Sequence, residues 1–359
     1  MRKQLTLFIT FFSFLFLTDV SNAGEEYVIG SLIPLTGLAA EFGEYNKMAC
    51  DLYVELYNKN PKNKIKIRHI YEDTRSNPKD GINAINAMLL KKKPLAILNE
   101  LTTISLAVAP ITDKEKIIMI AISANPKLTQ LYNYTFRNYP DPVRLAEETI
   151  KAFFSNYKER NFAIVYANDE SGLGAREIFC KKLKELGGKL LAEDSFDKSG
   201  LDFRPQLIKI LNTKPEVVYL VGYGKPLGIL IKQIRELGYK GKLLGGPEVA
   251  FNDVLSVAGR AADGFLYMDV SFDSESPRVR NFIKNFERRF KREPSLVSAV
   301  VYDAWGLLMY AVEHAGTSEP DAVKRELLNI KEFRGITGRL SITKNRDITH
   351  SLVLKEIKK

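Results

Sequence analysis

The sequence predicts an α/β protein made of two similar halves, each a parallel sheet with helices packed against it. Three observations lead there. Short apolar runs alternate with longer amphipathic stretches, the rhythm of βαβ units, and the rhythm occurs twice. The short runs are nearly continuous rather than alternating, as expected for parallel strands covered on both faces. At 359 residues and 45% hydrophobic content, the chain is long enough for about two domains with a large core. Only two cysteines, with 27% charged residues, exclude a disulfide-stapled miniprotein and a disordered tail.

Taken in order, the chain opens with Arg2 and Lys3, an apolar run from Leu5 to Leu17, and Ser21-Asn22-Ala23. Small residues follow a short hydrophobic segment, the pattern of an export signal over residues 1–23, cleaved near Ala23. As a helix the run would rise about 20 Å, short of the roughly 30 Å hydrocarbon slab. No later stretch is read as reaching spanning length, and no Cys follows Ala23 to carry a lipid. A mature chain outside the cytoplasm is expected.

The first half then reads as a strand Tyr27 to Ile33, a helix Glu44 to Asn58, a strand Ile65 to Tyr71, a helix Lys79 to Lys91 and a strand Leu95 to Leu98. An extended segment at Tyr134 to Asn138, followed by Pro140 and Pro142, marks a crossover. The second half runs through strands at Phe162 to Tyr166, Leu190 to Ala192, Val217 to Val221 and Lys242 to Gly245. Helices at Gly174 to Leu186, Phe203 to Leu211 and Pro226 to Leu237 separate them. Gly187 and Gly238 follow two of these helices as left-handed stops. A strand at Gly264 to Val270 precedes helices Pro277 to Phe290 and Ser295 to His314, which have no new strands beside them and are expected to cover the first half. The tail from Gly335 to Ile357 alternates polar and apolar residues, as an antiparallel edge strand does.

Composition narrows the chemistry. A net charge of +10, or +9 once Arg2, Lys3 and Asp19 leave with the signal, invites a nucleic-acid reading. The basic residues are spread out, however. The dense groups Lys91-Lys92-Lys93 and Arg288-Arg289 with Lys291-Arg292 sit at helix ends as solvated faces, and no nucleic-acid partner is expected. Cys50 and Cys180 are far apart with no His or Cys at metal spacing, so they read as buried free thiols and no metal is expected. Gly222-Tyr223-Gly224 with Gly228 imitates a dinucleotide fingerprint. Leu227 occupies the third glycine's place, and no cofactor is expected. His69, His314 and His350 are scattered and no nucleophile elbow occurs, so no catalytic residue is assigned.

Ligands of open α/β sheets bind where strands feed helix N-termini. Those loops carry Pro34 to Gly43, with Phe42 as an aromatic face, and Leu101-Thr102-Thr103. The second half contributes Asn168 to Gly174, Val221-Gly222-Tyr223-Gly224 and Gly245-Gly246-Pro247-Glu248. Thr102 and Thr103 are placed either to hold a carboxylate or to cap a helix. Glu248 is placed either to accept from an ammonium group or to serve a helix start.

From Tyr27 to about Ile357 the chain resembles the exported binding proteins of branched-chain amino-acid ABC transporters, the leucine/isoleucine/valine-binding type. The likeness rests on Ile29 to Gly37, Leu106-Ala107-Val108-Ala109-Pro110-Ile111, Gly245-Gly246-Pro247-Glu248 and Val301-Tyr302-Asp303-Ala304, in family order. It implies a type I periplasmic binding fold, two Rossmann-like lobes with parallel sheets joined by three hinge crossovers. The division expected is 24–137 with 270–335 for lobe I and 138–269 with 336–359 for lobe II. The resemblance further implies a small-molecule ligand, an amino acid, a membrane permease as partner, a periplasmic location and a monomeric, non-enzymatic protein.

By the same resemblance Thr102 would bind the ligand carboxylate, with Thr103, Ser123 and Ala124 beside it, and Glu248 the α-ammonium. Tyr223 and Phe42 would line the cleft. Two departures appear: the family's Ser-Ala-Thr-x-Pro loop is Ser123-Ala124-Asn125-Pro126, without its threonine, and Ser171 replaces a tyrosine before Gly172. A different polar ligand (urea, a short amide, an aromatic acid), a sensory subunit and a secreted α/β enzyme remain the alternatives.

Overall fold

A computed structural model of the chain describes residues 26–123, 125–140, 142–271 and 276–358. The signal segment and Ala124 lie outside the described residues. The first lobe begins with β1 (Glu26–Ile33), α1 (Ala40–Lys59), β2 (Lys66–Asp73), α2 (Pro78–Lys91), β3 (Ala96–Glu100), α3 (Thr102–Lys114), β4 (Ile118–Ile122), α4 (Lys127–Leu131) and β5 (Thr135–Arg137). The strands form one sheet in the order β2-β1-β3-β4-β5, and every pairing is parallel. Local chemistry sets the helix starts. Asn77 caps α2 by accepting from the Lys79 N–H at 2.8 Å, with Pro78 at the first helical position, where no donor is needed.

The second lobe follows with α5 (Pro142–Asn156), β6 (Asn161–Ala167), α6 (Glu170–Glu185), β7 (Lys189–Phe196), α7 (Arg204–Leu211), β8 (Val217–Val221), α8 (Gly224–Glu236), β9 (Lys242–Gly245), α9 (Asn252–Ala258) and β10 (Leu266–Val270). The chain then forms α10 (Pro277–Phe290), α11 (Leu296–Ala315), α12 (Pro320–Asn329), β11 (Phe333–Arg334), β12 (Arg339–Leu340) and β13 (Leu352–Glu356). The second sheet runs β13-β10-β9-β8-β6-β7, with β13 antiparallel at its edge. Gly187 and Gly238 take φ of +86° and +85°, the left-handed stops anticipated after α6 and α8. The sequence reading did not include β4 or α5. Cys180 is only half-buried, whereas Cys50 is fully buried as expected.

As expected, α10 and α11 return to the first lobe: Trp305, Val301 and Phe286 share one core cluster with Tyr27, Ile29 and Leu52. Contrary to the sequence reading, one later helix, α11, is long and apolar enough to cross a membrane. Its most apolar window is 72% buried within the protein, because this helix forms the centre of that core.

The expected division put everything after residue 335 into lobe II, and the packing of that segment argues for a different one. Ile336, Leu340, Ile342 and Ile348 belong to the first lobe's core, held there by Asp303 of α11, which accepts from the Ile336 and Thr337 N–H groups. Only β13 joins the second sheet. We therefore propose lobes of 26–137 with 277–348 and of 139–270 with 352–358. The crossovers lie side by side: the Ser271 N–H donates to the Ser351 carbonyl at 2.8 Å. His350 lies between Asn138 and Thr337, Nε2 at 3.0 Å from Asn138 Oδ1 and Nδ1 at 3.2 Å from Thr337 Oγ1.

Candidate functional site

The carboxyl ends of both sheets face one cavity of about 140 Å³ between the lobes. That is close to the roughly 150 Å³ hole that accommodates benzene, so the space suits one small molecule. Phe42, Thr102, Thr103, Ser123, Ser171, Tyr223 and Glu248, seven of the eight residues expected from the sequence, all line it. Ala124 is the eighth.

On the lobe I side, β3 ends at Glu100 and the chain turns through Leu101, at φ +71° and ψ 132°, into α3. A left-handed φ at a branched residue is strained, and such strain concentrates where a loop must present groups to a ligand. The capping alternative for Thr102 does not hold. Leu101 is the N-cap, no side chain caps α3 and its first turn carries no acid, so the positive helix end faces the cavity. Thr102 and Ser123 are both buried, and the Ser123 hydroxyl donates to Thr102 Oγ1 at 3.1 Å. Phe42, on the first turn of α1, stacks on Phe251 from lobe II at 4.3 Å and meets the Tyr223 ring edge-on at 6.4 Å.

On the lobe II side, β9 ends in Gly245-Gly246-Pro247 and a 3₁₀ turn carries Glu248. A Cβ at Gly246 would meet Glu248 Oε2, so a side chain there would push the Glu248 carboxyl from its place. Glu248 is the acid in the first turn of that 3₁₀ helix, while the start of α9 has no cap of its own and is met by Glu41 from lobe I, which accepts from the Asn252 and Asp253 N–H groups at 3.1 and 2.7 Å. The Tyr139 hydroxyl donates to Glu248 Oε1 at 3.0 Å. Burial pushes the Glu248 carboxyl above its usual range, opposed by its own backbone N–H and by Tyr139. An arriving cation would favour its ionised form. Tyr223 is tied to a pair at the wall: Lys198 Nζ donates to its hydroxyl at 2.9 Å and lies 2.7 Å from Asp169 Oδ2, so Asp169 enters the cleft already neutralised.

Sequence reasoning missed Glu100, Tyr139 and Tyr219 as lining residues, and gave Asp169 no role of its own within the Asn168 to Gly174 loop. For Glu100 the signal was legible, a lone acid closing the apolar run Ala96-Ile97-Leu98. Its side chain is 1% exposed, receives the Asn46 amide at 3.3 Å on Oε2, and has no partner on Oε1 among the described residues. Burial pushes it up to about 8, against the Asn46 hydrogen bond. Among the described residues no group of His, Cys, Asp and Glu is arranged to hold a metal ion.

Two α/β lobes meeting over one small cavity, with hydroxyls and a helix start on one wall and a carboxyl on the other, have the architecture of a solute-binding protein. The chain belongs to the periplasmic binding protein family, whose sequence profile matches residues 26–359. It is 27% identical over 326 residues to the Leu/Ile/Val-binding protein homolog 2 of Brucella abortus, covering 90% of this chain and 87% of that protein. Its fold is similar to that of a leucine binding protein, LivK, of Thermotoga maritima (TM-score 0.87, 25% identity, 93% of this chain and 96% of the other). A solute-binding protein of an ABC transporter from Rhodopseudomonas palustris, in complex with 3,4-dihydroxybenzoic acid, shares the fold at TM-score 0.82 and 21% identity, over 93% of each chain. Within the family the likeness is thus to the branched-chain amino-acid group. Its members are solute carriers of the ABC-transporter type, which implies a small-molecule ligand, a permease partner and a periplasmic setting.

Proposed function

We propose that the protein binds an α-amino acid between its lobes and delivers it to a membrane permease. The observation that carries this reading is the division of polarity across the cavity: Thr102, Ser123 and the start of α3 on lobe I, and Glu248, steadied by Tyr139, on lobe II. A zwitterion presents a carboxylate and an ammonium a few ångströms apart, so one wall takes each end and the ligand joins the lobes. Phe42 and Tyr223 form the sides, and Ser171 leaves room or polarity where the resemblance implies a tyrosine. Micromolar affinity corresponds to about −8 kcal/mol, part of which favours the closed arrangement, the form a permease would recognise. The reading includes removal of residues 1–23 on export and a monomeric mature protein, checked by intact mass and by sedimentation.

The test is calorimetry with the twenty amino acids on wild type and Glu248→Ala. Losing the acid strands a buried ammonium, which costs on the order of 3 to 5 kcal/mol, more than a hundredfold in affinity. An unchanged Kd for the bound amino acid removes Glu248 from the site and the reading with it. A second reading, an aromatic acid, is favoured by one feature: Phe42, Tyr139, Tyr219 and Tyr223 all line the cavity. Under it, benzoate or a hydroxybenzoate releases heat, amino acids do not, and Glu248→Ala tightens binding by relieving carboxylate repulsion.

A further inference from the structure

We propose that Glu100 is a specificity-determining residue that reads a neutral hydrogen-bonding group, a hydroxyl or carboxamide, on the ligand's side chain, so that the site takes small polar amino acids ahead of leucine, isoleucine and valine. The inference rests on the amino-acid reading above and deepens it. Glu100 lines the cavity, as do the apolar Phe42, Leu101 and Ile122 and the hydroxyls of Thr102 and Ser123. It is 1% exposed, its Oε2 takes one hydrogen bond from Asn46, and its Oε1 is buried with no partner among the described residues. Buried polar atoms are almost always paired, and one left open beside a ligand cavity is a position for the ligand to complete. A head group gripped by Thr102, Ser123 and Glu248 does not need it.

The class of the missing partner follows from the surroundings. Among the described residues no Lys or Arg pairs with Glu100, and burial keeps its carboxyl protonated at neutral pH; with Oε2 accepting from Asn46, the open Oε1 is left as an O–H, which both donates and accepts. A hydroxyl or carboxamide matches that pair. An ionic side chain would require two desolvated charges against Phe42 and Ile122, and the cavity is small. An aliphatic side chain would close over the open oxygen and leave it unpaired, which is how a polar site rejects an apolar analogue.

Threonine and valine have the same shape and differ by a hydroxyl, which makes them the probes. Calorimetry uses the full mature chain, stripped of bound ligand by unfolding and refolding, with threonine, serine, asparagine, glutamine, valine, leucine and isoleucine. Wild type is expected to bind threonine roughly tenfold or more tighter than valine. Glu100→Gln should keep that order, and Glu100→Leu should reverse it. Wild type binding valine as tightly as threonine overturns the assignment while leaving the amino-acid reading intact, and so does a threonine-to-valine ratio unchanged in Glu100→Leu. Binding of no amino acid at all overturns both. If Glu100→Leu does not fold, the wild-type ratio decides alone, with Glu100→Gln as the folded control.

Discussion

The hinge and the cleft both bury polar side chains, and they treat them in opposite ways. At the hinge, wholly buried Arg137 donates through Nε to Asp347 at 2.7 Å, and His350 is held between Asn138 and Thr337, which donates in turn to Asp303. The Asn138 amide reaches the Val300 carbonyl at 2.6 Å. These groups answer one another within the chain. In the cleft, Glu100 keeps an open oxygen, and Glu248 is held by Tyr139 and its own turn while burial works against its charge. Buried polarity satisfied within the chain builds a joint, whereas an unsatisfied group that lines a cavity is open to a molecule from outside. The contrast predicts that removing polarity costs stability at the hinge and adds stability in the cleft.

The largest effect belongs to the hinge. Arg137→Ala should cost about 3 to 5 kcal/mol in urea unfolding, because Asp347 is left without its cation and a wholly buried side chain is lost. A loss below roughly 1 kcal/mol, the range of exposed ion pairs, would break the comparison at its strongest point.

Glu100→Gln tests the other side. The carboxyl rises from an ordinary 4.5 to about 8 in the fold, so between those values the native state holds a proton that the unfolded chain has shed. Stability therefore falls as pH rises from 4.5 to about 8 and is level above. By pH 7 this amounts to on the order of 3 kcal/mol. The glutamine variant should be more stable than wild type at pH 8 and nearly equal at pH 4.5, read from melting temperatures across that range. A variant less stable at pH 8 would make Glu100 a structural group like those of the hinge.

The hinge histidine should give a slope of the opposite sign. Burial lowers His350 from 6.5 to about 3, so the unfolded chain takes up a proton below pH 6.5 that the folded chain refuses. Its contribution is complete above 6.5 and is lost as pH falls toward 3, about 2 kcal/mol by pH 5. His350→Gln should flatten that part of the acid limb. His69, lowered in the same way in the first lobe's core, keeps the rest.

Much of the fold was legible because it depends on local pattern. Val217–Val221 and Pro277–Phe290 fall where their apolar spacing puts them, and the cleft loops follow once strand ends feed helix starts. What was not legible depends on distant partners. Ile336 to Ile348 alternate like an edge strand, yet Asp303, far earlier in the chain, draws that segment onto lobe I. Tyr139 sits in a crossover with no periodicity to mark it, and its role appears only when Glu248 arrives from residues far downstream. Glu100 is visible as a lone acid at the end of its strand, but nothing local shows that one of its oxygens stays unpaired beside a cavity.

The smallest effect lies where the two regions meet, at the cleft rim. Glu41 of lobe I accepts two N–H groups at the start of α9 in lobe II, and Arg292 holds Glu41 at 3.6 Å and Glu44 at 2.7 Å. A cap of this kind contributes about 1 kcal/mol, and it exists only while the lobes are together. Part of it is offset, because burial and the neighbouring Glu41 charge push Asp253 up to about 6. Glu41→Ala should therefore weaken ligand affinity by only about two- to fivefold. Urea unfolding of the ligand-free protein should move by less than about 0.5 kcal/mol, since the cap ties lobe to lobe and not a lobe to itself. A loss of stability without a loss of affinity would instead make Glu41 part of the scaffold, and the rim would then belong with the hinge.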